Sequence, residues 1–209
     1  MPDMDELMKA VKDNLHFSVL PQILMREGID GNVFSDIFRK RFACLLEEHT
    51  NDSEGLKEES YYYILPAVAV YGTLQNFTGK AAELFREMWL DGARKGAEYL
   101  RKKAEDEAFL KNWIIFVTPK KTETGAFRFE IDHCTLNETE YHVMRCPYAD
   151  FCRAYGCEEI LTVFCDSDDI SFGNIHPRLI WGRTKTIGRG DAYCDFKYTL
   201  LDQQKSSEK

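Results

Sequence analysis

Residues 179–200, LIWGRTKTIGRGDAYCDFKYTL, decide the fold. Two runs rich in β-branched and aromatic residues, Leu179 to Ile187 and Ala192 to Leu200, flank Gly188, Arg189, Gly190 and Asp191, a turn of the kind that closes an antiparallel hairpin. If the turn sets Ile187 opposite Ala192, Lys185 faces Cys194 and Arg183 faces Phe196 on one side. Thr184 then faces Asp195 and Thr186 faces Tyr193 on the other. The first side also carries Trp181, Tyr198 and Leu200, so Arg183 there would sit in apolar company and need an anionic partner. A turn one residue different would instead place Arg183 beside Asp195.

Upstream of the hairpin, Trp113–Val117, Ala126–Ile131 and Glu140–Met144 are short, β-branched and aromatic, and read as antiparallel strands. Pro147 opens a short helix to Tyr155 that Gly156 closes. The segment from Glu158 to Phe172 has two readings. Ile160, Thr162, Val163 and Phe164 favour a strand, whereas Leu161, Cys165, Asp168 and Phe172 share one face at helical spacing.

The first half has helical periodicity. Leu7, Val11, Leu15 and Val19 recur every four residues, and Val33, Ile37, Phe38, Phe42 and Leu45 form a second one-sided apolar face. Tyr61 to Leu74 is apolar nearly all round, which predicts a buried helix with Pro66 at a kink or in a first turn. Lys80 to Ala104 predicts a long amphipathic helix with Leu84, Met88, Ala93 and Ala97 inward. The fold class expected is therefore α+β, a helical N-terminal half packed on an antiparallel sheet that ends in a C-terminal hairpin. One domain spans residues 1–209, helical over 1–110 and α+β over 111–200, with a frayed tail at 203–209.

The 209 residues are 44% hydrophobic and carry a net charge of −8 with a sequence pI near 5.2. This balance argues against nucleic acid as a partner, because the basic run Arg101–Lys103 is cut short by Glu105, Asp106 and Glu107. The sequence has no run of eighteen apolar residues, and it starts with an acidic stretch unlike a signal peptide. A cytoplasmic location and no membrane partner are expected. Seven cysteines, an odd number, then read as free thiols.

Cys165 and Asp168, three residues apart, would put a thiol beside a carboxylate on a helix face. A carboxylate raises a thiol's pKa, so a reactive Cys165 needs a cation such as Arg183 or Lys185. The planar fork of Arg183 suits bidentate carboxylate recognition. Cys194 reads equally as a small core hydrophobe, and Asp166 and Asp169 as solvent-facing acids. Cys146, Cys152, Cys157, Cys165, Cys194, His142 and His176 could all bind metal. None forms a Cys-x-x-Cys pair, so neither a metal nor another cofactor is expected.

Several of these pieces together resemble the L-2-amino-thiazoline-4-carboxylic acid hydrolase family. They are Leu65, Tyr71 and Leu74 followed by Gly79-Lys-Ala-Ala-Glu83, then Arg145-Cys146-Pro147-Tyr148-Ala149, Gly156, Cys165-x-x-Asp168 and the stretch from Arg183 to Phe196. The C-terminal part is also similar to four-vinyl-reductase-type ligand-binding domains. The first resemblance implies hydrolytic opening of a small cyclic amidine-like ring to a carbamoyl-cysteine product. On that reading Asp168 is the base, Cys165 the nucleophile or positioning thiol, and Arg183 the anchor for a substrate carboxylate. Thr186, Cys194, Asp195 and Cys146 would complete the substrate-binding set. A non-catalytic module that senses a small molecule or metal in the same pocket is the other reading. The partner expected is a small-molecule substrate, with homo-oligomer formation left open.

Overall fold

The computed structural model describes residues 3–173 and 175–202, and the 203–209 tail read above as frayed lies outside them. The chain opens with α1 (Met4–Asp13), a 3₁₀ turn at Leu15–Phe17 and α2 (Leu20–Arg26). The four-residue apolar series breaks at Asn14, whose side chain accepts the His16 N–H at 2.9 Å. Leu15 is consequently exposed and Phe17 takes the buried position. In α3 (Gly31–Glu48) the inward face is Phe34, Phe38, Phe42, Leu45 and Leu46, so Phe38, Phe42 and Leu45 lie inward as expected while Ile37 is half-buried and Val33 exposed.

After α4 (Glu54–Glu59) the backbone takes a π-helical turn at Ser60–Ile64 and continues into α5 (Leu65–Leu74). Pro66 explains the wider turn. It lacks the N–H for an α-helical bond to the preceding turn, and its ring crowds the carbonyl four residues back. All ten residues of α5 are buried, as its all-round apolarity requires. The long helix α6 (Ala81–Lys103) packs against a later helix, Leu161–Phe172, and against the 3₁₀ turn.

The expected strand at Trp113–Val117 is instead the end of α7 (Glu107–Val117). Its Asp106 N-cap accepts the Ala108 N–H at 2.8 Å, and Leu110, Trp113 and Ile114 are buried while Ile115 and Phe116 are exposed. That is a helical period, which a run of β-branched residues had disguised. The helical part thus reaches Val117 before the sheet begins.

The sheet has β1 (Arg128–Cys134), β2 (Glu138–Arg145), β3 (Leu179–Gly182) and β4 (Cys194–Leu200), in the order β1-β2-β4-β3, all antiparallel. Between β2 and β3 run α8 (Pro147–Ala154) and α9 (Leu161–Phe172). Helical spacing therefore prevails over strand propensity in the ambiguous segment. One apolar core joins α5 and α6 to α9 and to the inner face of β2 and β4. Among the described residues no helix is long and apolar enough to cross a membrane.

The hairpin adopts the first of the two registers. Leu179 pairs with Leu200 and Gly182 with Lys197, which carries Arg183 opposite Phe196. The ladder is shorter than expected and stops at Gly182. Beyond it the Asp195 carboxylate accepts the Thr184 N–H at 2.8 Å, taking a donor that a longer ladder would have used, and the Thr184 hydroxyl at 2.6 Å. Lys185 turns outward as a result, donating to the Tyr193 hydroxyl at 2.6 Å rather than joining Cys194 on the inner face. The turn itself is a 3₁₀ segment at Ile187–Arg189, closed by Gly190 at φ 99°, a left-handed conformation that favours glycine.

Candidate active site

Helix α9 projects Cys165 and Asp168 from one face into a cavity of about 490 Å³ between α9, α8 and the inner face of the sheet. Arg183 reaches the same cavity from the end of β3. Its guanidinium donates to Asp168 Oδ2 at 3.1 Å, to Asp169 Oδ1 at 2.8 Å and to the Cys165 carbonyl at 2.6 Å. It also lies over the rings of Phe196 (5.3 Å) and Trp181 (5.6 Å), which supplies the cation–π contact expected of arginine in apolar company. Only 2% of the Arg183 side chain is accessible, against 40% of Asp168. Protein surrounds Asp168, so its accessible surface is that of a group facing an interior space.

Burial pushes the Asp168 carboxyl up to about 6, against the pull of Arg183; Asp169 and Glu59 add repulsion. Burial likewise raises the Cys165 thiol, with Arg183 and Arg189 opposing and Asp168 adding to the rise. Arg183 is raised: burial works against its charge, but Asp168 and Asp169 outweigh that effect. Gly188 is required beside Cys165, because a Cβ there would stand 2.5 Å from the thiol sulfur. Cys146 and Cys194 also line the cavity, and burial holds them at about 12 and about 11. All three thiols are therefore protonated at neutral pH.

The family model for L-2-amino-thiazoline-4-carboxylic acid hydrolase matches residues 57–198. The chain belongs to that family. No curated protein and no solved structure matches it. The span matched to the hydrolase family includes every cavity residue named so far.

Five of the seven residues expected in the site, Cys165, Asp168, Arg183, Cys146 and Cys194, line this one cavity, and two do not. Asp195 braces the backbone at Thr184 and Lys185 on the outer side of the hairpin. Thr186 is buried in the turn, where its N–H donates to Asp191 Oδ2 at 2.8 Å and its hydroxyl accepts from Arg189. Both residues shape the turn that sets Arg183 and Gly188. Asp166 and Asp169 are not free solvent-facing acids either. Asp169 accepts from Arg183 and from the Trp181 indole, and Asp166 pairs with Arg86 and Arg189. Arg183 is already committed to protein acceptors, so it holds Asp168 rather than standing free as an anchor.

Glu59 and Tyr148 were missed. Glu59 closes α4 just before the π-helical turn, and its Oε1 accepts the Tyr148 hydroxyl at 2.8 Å inside the cavity. Burial raises the Glu59 carboxyl and the Tyr148 bond lowers it, with burial dominant. Sequence offers little signal for Glu59, one acid in the polar run Lys57–Glu59. Tyr148 sits in the Arg145–Ala149 motif. His16, outside the matched span, stacks on Trp89 at 4.2 Å and bonds its carbonyl at 2.8 Å. Its main chain rests on Gly92, where a Cβ would lie 2.4 Å from the His16 Cα. His16, Tyr63 and Ser171 line both this cavity and a second, open cleft of about 390 Å³, which makes them its rim.

Among the described residues one group of three potential metal ligands converges, Asp132, Glu140 and His142 on β1 and β2. Glu140 is paired with Lys197 at 3.2 Å and Asp132 with His142 at 3.4 Å. These residues are not among those lining the cavity.

Proposed function

We propose that this cavity is the active site of a hydrolase that opens a cyclic amidine-like ring, L-2-amino-thiazoline-4-carboxylate or a related compound. The observation that carries the reading is the convergence of Asp168, Cys165 and Arg183 in one enclosed space in a chain of this family. Asp168, near 6, is mostly ionised at neutral pH and is a competent base toward water. Water adds to the ring carbon between sulfur and nitrogen while Asp168 takes its proton. The amidine enters protonated, so its ring nitrogen keeps an N–H. The carbon–sulfur bond then breaks with its electron pair on sulfur, which must gain a proton to become a thiol, while the added hydroxyl loses its remaining proton to solvent and becomes the carbonyl of a carbamoyl group.

The Glu59–Tyr148 pair, joined by a 2.8 Å hydrogen bond in the same cavity, supplies the proton that sulfur needs, so that Asp168 is the base and this pair the acid. Cys165 is a positioning thiol on this reading, since a thiol held above its usual pKa attacks only after losing its proton. The other reading, a binding module without chemistry, keeps the same ligand and loses the turnover.

Incubation of the protein with L-2-amino-thiazoline-4-carboxylate, followed by chromatography for carbamoyl-cysteine, tests the reading. Absence of product from wild type sinks this substrate assignment. Cys165→Ala should retain activity within about tenfold, because the base and the acid remain; a loss of about 10³-fold would return Cys165 to the role of nucleophile. Glu59→Gln should lower kcat/KM about 10²-fold at neutral pH. Steady-state kinetics of the two proteins at neutral pH decide it.

A further inference from the structure

We propose that the ring compound held by this cavity carries a flat aromatic substituent in place of a carboxylate; the ring chemistry is taken from the hydrolase reading above. Size comes first. A cavity of about 490 Å³ is in the range that encloses ligands of drug size. Amino-thiazoline carboxylate, with about nine non-hydrogen atoms, would fill on the order of a third of it at the packing density of protein interiors.

The shape of the remaining space is set by the sheet. Phe129 on β1, Tyr141 on β2 and Phe196 on β4 form an aromatic floor, in which Tyr141 and Phe196 are near parallel with centroids 5.3 Å apart and Phe129 meets Tyr141 edge to face at 5.9 Å. Strands lie about 4.8 Å apart, so this floor runs for about 10 Å across the sheet. Its polar end is at Phe196, beneath Arg183 and beside Asp168. The far end is mainly aromatic, with Tyr148 of the Glu59 pair beside Phe127. Phe127 stacks on Phe129 at 5.6 Å, and Phe116, 73% exposed, reaches in from the end of α7. A single exposed aromatic is ordinary. One that lines a cavity at the end of an aromatic floor is a surface that a flat apolar group would cover.

Charge points the same way. Arg183 spends its donors on Asp168, Asp169 and the Cys165 carbonyl, and its side chain is almost inaccessible. An incoming carboxylate would therefore meet Asp168 with the neutralising cation already engaged. A cationic amidine nitrogen at the same place would pair with Asp168, and an apolar substituent would lie along the floor toward Phe116.

Calorimetric titration of the full chain with two unreactive aromatic analogues, 2-amino-4-phenylthiazole and 2-aminothiazole-4-carboxylate, reads the preference without turnover. The phenyl compound should bind at least 30-fold more tightly, and Phe116→Ala or Phe129→Ala should reduce that ratio at least fivefold. Using a ratio removes any loss of folded protein, and Phe116 is exposed enough for its variant to fold. Equal or tighter binding of the carboxylate, no binding of either compound, or a ratio that neither variant changes overturns the proposal. The corresponding thiazolines separate it from the hydrolase reading. If they are opened with the carboxylate preferred, the hydrolase reading stands and this proposal falls. If the phenyl ligand binds tighter and neither ring is opened, the ligand class stands and the hydrolase reading falls.

Discussion

Asp168→Asn is expected to lower kcat/KM about 10³-fold while leaving the fold at least as stable as wild type at pH 7. The rate loss follows from removing the only base proposed for the attacking water, an effect typically of 10²–10⁴-fold. The stability expectation comes from linkage. The Asp168 carboxyl is raised from 3.8 to about 6 in the folded protein, a shift that already includes the attraction of Arg183. A folded-state pKa raised in this way gives stability that is present below about 4 and lost as pH rises through about 6. At neutral pH the fold therefore carries an ionised group it would hold more easily in neutral form, and asparagine provides that form at nearly the same shape. Asp169 and the Cys165 carbonyl remain as acceptors for Arg183. Denaturant unfolding and steady-state kinetics on the same preparation check both halves. A variant that loses activity and also unfolds more easily at pH 7 would count against Asp168 as a strained functional group. Wild-type activity should also rise with pH around 6, a limb the variant should lack.

The sequence narrowed the hairpin to two registers, because side chains alternate with a period of two, and the sheet takes the one that puts Arg183 on the face of Trp181, Phe196 and Tyr198. That register brings Arg183 to the inner face, and its need for an anion leads to α9. The splaying beyond Gly182 was not legible, since it depends on the Asp195 carboxylate binding backbone N–H groups, a competition that propensities do not register. Asp195 and Thr186 were for this reason read as ligand contacts when they are turn braces. Trp113–Val117 shows a different failure, in which local β-propensity was weighed over a helical face that begins upstream of the run. Glu59 was out of reach for a third reason. Nothing near it in sequence marks it as unusual, and its environment is created by Tyr148, 89 residues away. Long-range placement made this acid, and only the assembled fold reveals it.

Arg183→Met should cost about 2–3 kcal/mol of stability at pH 7 and move the acid limb of the pH–rate profile upward. Breaking a fully buried ion pair typically costs about 3–5 kcal/mol, and the lower figure allows for solvent screening at Asp168 and Asp169, each about 40% accessible. Lost cation–π contacts with Phe196 and Trp181 add to the effect. The shift in pH dependence is the more specific result. Arg183 is the main force holding the Asp168 carboxyl down against burial, so without it that carboxyl rises beyond about 6 and less of it is ionised at pH 7. Activity should fall at neutral pH and recover in part toward alkaline pH, where the base ionises again. Stability should move the opposite way, since each further ionisation of Asp168 without its partner charge destabilises the fold as pH rises. Arg183→Lys should move that limb less than the methionine variant, because it keeps a positive charge near Asp168, but should still lose stability. One ammonium group does not reproduce the fork that reaches Asp168, Asp169 and the Cys165 carbonyl together. If Arg183→Met instead lowers kcat uniformly across pH with an unmoved acid limb, Arg183 does not set the ionisation of Asp168, and the pairing on which the base depends must be assigned elsewhere in the cavity.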